Sequence, residues 1–236
     1  MEPMKRVGWM LAVAFLGTIA SLSAQAYDST DQYEERQVEG WTLRINRTLL
    51  QHSQLAEDVL REMRRQLIQV VRTVPAPALA KLRHVAIWIE EQNRDEKCMC
   101  YHPSRGWLEE HAYNPDKAGC VELGNARNFL AWTREQPWMV LHELAHSYHH
   151  HVLGYDNPDI KAAYEKAVAS KSYEHVLHIN GQTVRHYALT SDQEYFAECT
   201  EAFFGTNDMY PFVCAELKQH DPTAFETLDK VWSREE

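Results

Sequence analysis

The chain has 236 residues, 44% of them hydrophobic, which suits one globular domain, or at most two small ones, and excludes wholesale disorder. Its 24 basic against 34 acidic residues give a net charge of −10, which argues against binding nucleic acid through overall charge. Five cysteines are too few for a disulfide-built miniprotein, and thirteen histidines are more than an average chain of this length carries.

Residues 1–26 are predicted to be a signal peptide. Lys5 and Arg6 open it, residues 7–26 carry no charge, and Ala24-Gln25-Ala26 forms a small-x-small cleavage site before Tyr27. An uncleaved anchor is the alternative, because the uncharged stretch approaches the length of a membrane span. Ser, Thr and Gln crowd its end and favour cleavage. Either way the domain, residues 27–236, is expected to be exported, to the periplasm or the exterior, with no further span. Export permits disulfides. Pairing of Cys199 with Cys214, and of Cys120 with Cys98 or Cys100, is expected, leaving one thiol free.

Residues 38–47 alternate, with Trp41, Leu43 and Ile45 on one side, and predict a strand. Residues 53–73 carry Leu55, Val59, Leu60, Met63, Leu67 and Val70 at helical spacing, and Pro75 and Pro77 end that helix. A strand follows at 84–90. Residues 91–119 are polar and turn-rich and read as a functional flap. A short strand at 120–123 and a helix at 125–134 come next. Pro137 opens a second helix that Gly154 closes. A helix at 158–169, a hairpin over 174–187 around Asn180-Gly181, and helices at 191–204, 211–219 and 223–232 complete the chain. Strands first and helices later predict an α+β fold. Trp88, Trp107 and Trp138 read as core or packing residues.

The chemistry concentrates in the helix after Pro137. His142-Glu143-Leu144-Ala145-His146 is an H-E-x-x-H motif. Its i, i+4 spacing puts both imidazoles on one face, about 6 Å apart along the axis, so both reach one tetrahedral ion. Glu143 is displaced around the helix, where it meets a water beside the metal rather than the metal itself. The bland alternative is two helix-face histidines with a solvated Glu. The apolar surroundings of this helix count against it, because unpartnered His and Glu would be costly there.

A third ligand is required. His150 shares the face of His142 but lies about 12 Å along the axis, too far to share an ion. The pattern H-E-x-x-H-x-x-G-x-x-H fails, since His149 stands at its Gly position and Val152 at its third His. The run His149–His151 therefore reads as a solvated helix end. Carboxylates from residues 190–201 remain. Glu194 and Glu198 share a helix face at i, i+4, so one can ligate while the other orients a ligand His. A capping box from Ser191 to Glu194 is the alternative for Glu194, although Thr190 and Gln193 can cap equally well. Glu201 is expected to lie off that face in solvent.

HELAH followed by EYFAE resembles the gluzincin-type zinc metallopeptidases, and most nearly the catalytic domain of anthrax lethal factor and its relatives. The likeness covers residues 136–205, with a strand before the active helix, 121–123, as a weaker match. It implies a zincin-like domain holding one zinc ion on His142, His146 and Glu194, with Glu143 as general base. It also implies that Tyr187, seven residues before Glu194, stabilises the oxyanion or protonates the leaving group. Glu198 is then the residue that holds a ligand His in its tautomer. His186 is the rival oxyanion partner if the chain bends there, and Arg185 reads as a solvated hairpin arm.

The resulting expectation is a secreted or periplasmic zinc endopeptidase acting on a peptide or protein substrate. The alternatives are a zinc hydrolase of a non-protein amide, such as a cell-wall crosslink, and a catalytically silent zinc-stabilised binding module. Glu143 argues against the last, since a structural site needs no base. Val121–Gly124 is expected to pair with an extended substrate by edge addition.

Overall fold

The computed structural model describes residues 27–94 and 96–233; the predicted signal peptide lies outside them. Glu39 and Gly40 have positive φ, 50° and 95°, the conformation that a two-residue hairpin turn requires. A Cβ on Gly40 would lie 2.4 Å from Arg83 Nε, so a larger residue there would also have to displace the Arg83 side chain. The turn joins β1 (Tyr33–Val38) to β2 (Trp41–Asn46), with Val38 facing Trp41. It divides the strand predicted over 38–47. The preceding residues are too polar to show alternation, yet they form the partner strand.

The chain then runs through α1 (Arg47–Gln51), α2 (Ser53–Thr73) and α3 (Ala76–Leu82) before returning as β3 (Ile87–Ile89), parallel to β2. Parallel pairing needs such a long crossover. α2 occupies the predicted span, and its Val59, Met63, Leu67 and Val70 are buried. The polar 91–119 stretch is not structureless. It contains β4 (Met99–Tyr101) and α4 (Arg105–Glu110), and leads into β5 (Val121–Leu123).

The sheet order is β1-β2-β3-β5-β4, with β2, β3 and β5 parallel and the two outer strands antiparallel to their neighbours. β5 therefore hydrogen-bonds β3 on one side and β4 on the other. This corrects the expectation that Val121–Gly124 offers a free edge: β4 is the edge strand on this side and β1 the one on the other. Leu43, Ile45, Ile87, Ile89, Val121 and Leu123 join the core shared with the helices.

Alternation sends Trp88 and Glu122 to the other face, where a buried ionic network forms. Lys117 Nζ lies 2.6 Å from both Glu90 Oε1 and Glu122 Oε1. Glu122 Oε2 is 2.6 Å from His102 Nε2, and Asn46 donates to Glu90 Oε2 at 2.7 Å. The network ties β3, β5 and the end of β4 to the 115–117 turn.

The second half is helical, with α5 (Ala126–Trp132), α6 (Met139–Tyr148), α7 (Pro158–Ser170), α8 (Asp192–Phe204), α9 (Cys214–His220) and α10 (Pro222–Trp232). A small hairpin, β6 (Val176–Leu177) with β7 (Thr183–Val184), stands between α7 and α8. α6 is shorter than predicted. Residues 149–153 continue it as a π-helical turn, and Gly154 closes it at φ 77°. Trp232 of α10 stacks on Tyr148 of α6 at 4.2 Å, which locks the C-terminal end against the central helix. The architecture is α+β with a small mixed sheet, as the element order predicted. Among the described residues no helix is long and apolar enough to cross a membrane.

Two packing expectations need correction. All five cysteines carry free thiols. Cys199 is buried with its sulfur 3.8 Å from the Tyr173 hydroxyl, and Cys98 is buried with its sulfur against Met139 Sδ at 3.3 Å. Cys120 faces the carbonyl oxygens of Asp116 and Ala118. The expected pairs are thus occupied by other neighbours. Trp107, expected to be a core or packing residue, lies outside the core at 44% exposure but does pack, on His111 at 4.1 Å and Tyr113 at 5.5 Å. Trp88 and Trp138 are buried as expected.

Candidate metal centre

α6 is buried along nearly its whole length, with only His142 partly open. Its apolar residues, Val140, Leu141 and Leu144, enter the core, and packing rather than capping fixes the helix. His142 and His146 stand one turn apart, with ring centroids 4.8 Å from each other. α8 packs against α6 and supplies the facing carboxylates. Ser191 caps α8 by accepting from the Glu194 backbone N–H at 3.1 Å. The cap uses only the backbone of Glu194, so its side chain is free to cross to the histidines.

Three ligand atoms converge. His142 Nε2 and His146 Nε2 are 3.1 Å apart, and Glu194 Oε2 lies 3.2 Å from the first and 3.3 Å from the second. Zinc bonds of about 2.0–2.1 Å at tetrahedral angles place neighbouring ligand atoms about 3.3–3.4 Å apart. The triangle fits a metal ion to within a few tenths of an ångström. Burial alone would raise the Glu194 carboxyl, but hydrogen bonding and charge from His142 and His146 hold it well below the usual carboxylate range. His142 is raised well above the usual imidazole value despite its burial, because Glu194 and Glu201 face it.

The residue behind His142 differs from the expected one. Glu201 Oε1 is 2.8 Å from His142 Nδ1, whereas Glu198 Oε1 is 3.8 Å away. Glu201 is buried, not solvated. Seven residues separate it from Glu194, close to two full helical turns, so both share the inward face. Glu198 is buried too, and Asn207 Nδ2 donates to its Oε2 at 2.8 Å. Burial raises both carboxyls; the Glu201 charge raises Glu198 further, while His142 offsets part of the rise at Glu201.

Glu143 forms no side-chain hydrogen bond with another described residue, although it is buried at the cleft wall. Its oxygens are left open to whatever enters. Tyr187 starts a short 3-10 turn at residues 187–189 rather than ending a strand, and it is 47% exposed at the same cleft. Partial burial, then the Glu194 charge, raises its hydroxyl. His186 turns away, buried and capping the 3-10 turn through Nδ1 to the Ala188 N–H. Arg185 pairs with Glu174 at 3.3 Å and with the Leu189 carbonyl, within the hairpin arm.

Of the run expected to be a solvated helix end, His151 is exposed and His150 half-buried, but His149 departs from the expectation. His149 is fully buried with neither ring nitrogen hydrogen-bonded, between Tyr155 and Phe196. It lies seven residues beyond His142 and so faces inward. His150 Nδ1 and His151 Nε2 both meet the Tyr101 hydroxyl, at 2.7 and 2.8 Å. That contact ties the edge strand β4 to the end of α6.

The cleft over these groups has a volume of about 470 Å³. It brings together His142, His146, Glu194, Glu143, Tyr187 and Glu198. Glu201, Tyr101, Trp132 and Tyr155 also line it, and sequence reasoning missed all four in this role. Only Glu201 left a local signal, its seven-residue interval from Glu194. A second group, Cys100, His102 and Glu122, also gathers metal-binding atoms. There the His102–Glu122 separation of 2.6 Å is a hydrogen bond, and Lys117 already neutralises the carboxylate. No protein-family profile, curated protein or solved structure matches the chain.

Proposed function

We propose that the chain is an exported zinc metallopeptidase of zincin-like fold, hydrolysing peptide bonds. The observation that carries the reading is the 3.1–3.3 Å triangle of His142 Nε2, His146 Nε2 and Glu194 Oε2, set in a cleft beside the unpartnered carboxylate of Glu143. Three protein ligands with an open side suit a catalytic ion better than a closed structural one. When bound, zinc polarises a carbonyl and lowers the pKa of a water molecule.

The chain's own residues supply the rest. Glu143 takes the proton of the attacking water and passes it to the departing amine. Tyr187 donates its hydroxyl hydrogen to the oxygen on which charge develops. Glu201 accepts from His142 Nδ1, which fixes the tautomer and points Nε2 at the ion. The free edge of β4, whose Met99, Cys100 and Tyr101 line the cleft, supports a peptide over a non-peptide amide, because an extended peptide can add to it as a further strand.

Digestion of a peptide library by wild type and by Glu143→Gln tests the reading. The variant is expected to keep its zinc and lose about 10²–10⁴-fold in rate. An equally active variant contradicts it.

A further inference from the structure

The charge lining the cleft is one-sided. Glu143, Glu194, Glu198 and Glu201 line it, and no lysine or arginine does among the described residues. At the α5 end stand Trp132, Gln136 and Met139, and Gln136 is held by Asp208, a fifth carboxylate, at 3.1 Å. Tyr101, Pro103 and Tyr155 wall the opposite side, beside the end of α6. An acidic substrate side chain entering here meets no lysine or arginine, only carboxylates such as Glu143 at the wall, so nothing in the lining apart from the metal would neutralise it.

Trp132 stands out among these residues. It is 40% exposed, and with Trp107 it is one of two exposed tryptophans among the described residues. Trp107 is stacked on His111 and does not line the cleft, whereas Trp132 lines it together with Gln136 and Met139. Its backbone is held in place. The Trp132 carbonyl accepts from the Glu135 and Gln136 backbone N–H groups, at 2.9 and 2.8 Å, which pins the end of α5. A half-exposed indole on a pinned helix end beside an open cleft is the kind of surface on which a ring or branched side chain gains by burial.

We propose that Trp132 is the specificity-determining residue of the cleft. It selects peptides that present a bulky uncharged side chain, aromatic, aliphatic or proline, and the surrounding carboxylates exclude acidic side chains. The proposal rests on the peptidase reading and adds the substrate class to it.

The test uses zinc-loaded full-length protein and a set of peptides that differ at one scanned position, carrying Phe, Leu, Pro, Ala or Asp. Wild type is expected to cleave the bulky neutral peptides at least about tenfold more efficiently, in kcat/KM, than the Asp peptides. Trp132→Ala is expected to bring the bulky-to-Ala ratio close to one, Trp132→Phe to preserve it, and Trp107→Ala to leave it unchanged. Preference for Asp, or an unaltered ratio in Trp132→Ala, overturns the proposal. If wild type cleaves none of the peptides, the peptidase reading fails, and fluorescence titration of the same peptides decides the specificity. Binding of the bulky neutral peptides that is lost in Trp132→Ala upholds the role of Trp132. No binding, or binding unaffected by the substitution, overturns it.

Discussion

Seven residues make nearly two helical turns, and that interval recurs on both helices of the site, from His142 to His149 and from Glu194 to Glu201. At the first, the chain buries an imidazole with no partner. At the second, it buries the carboxylate that holds His142 at 2.8 Å. Glu201→Gln is therefore expected to weaken zinc binding about 10–100-fold. Glu198→Gln is expected to weaken it less, since Glu198 is 3.8 Å from the same nitrogen. Chelator competition measures both, and the reverse order would transfer the positioning role to Glu198. His149 titrates at about 4 because burial first, then neighbouring charge, disfavours its cation. The unfolded chain takes up this proton below about pH 6.5, so the native state loses stability as pH falls from there toward 4. His149→Phe removes that loss, which amounts to about 2 kcal/mol at pH 5. Urea unfolding at pH 7 and pH 5 is expected to show the variant gaining on wild type at the lower pH, and a constant difference would contradict this.

Among the elements, helices were more legible than strands. α2 and α8 follow the predicted spans closely, α2 because a long amphipathic period is a local signal, α8 because Ser191 marks its start, although the helix itself is buried on all sides. β1 and β4 escaped. β1 is polar on its exposed positions, and β4 has three residues inside a turn-rich stretch, too short for any period. The identity of the edge strand was likewise unreadable, because pairing order is a property of the assembled sheet. The ionic network under the sheet was invisible for the same reason: Glu90, His102, Lys117 and Glu122 come from separate segments. Glu122 titrates at about 2. Burial would raise it, but His102 and Lys117 outweigh that. Its folded value is depressed, so its contribution is present above about pH 4.5 and is lost as pH falls toward 2. At pH 7 it is about 3 kcal/mol, shrinking to about 1 kcal/mol at pH 3. Glu122→Gln should therefore destabilise strongly at pH 7 and much less at pH 3, as read by denaturant midpoints. A pH-independent loss would show that packing, not charge, sets the contribution.

Across the whole molecule, the sheet and its helices hold α6 between two halves of different origin. β4 comes from the sheet side and α8 from the helical side, and the cleft opens between them. The motif residues of α6 and the EYFAE segment of α8 were readable as separate pieces. Their meeting within 3.3 Å was not, since it depends on how α8 packs on α6. The acidic balance of the chain acquires a local meaning here: carboxylates line the cleft while cations stay outside it. The central claim is that His142, His146 and Glu194 form one zinc site. Equilibrium dialysis with zinc, followed by metal analysis of wild type and Glu194→Ala, tests it most directly. About one zinc per wild-type chain and a large loss in the variant are expected. A wild type that binds no zinc, or a variant that binds it equally well, would contradict the account.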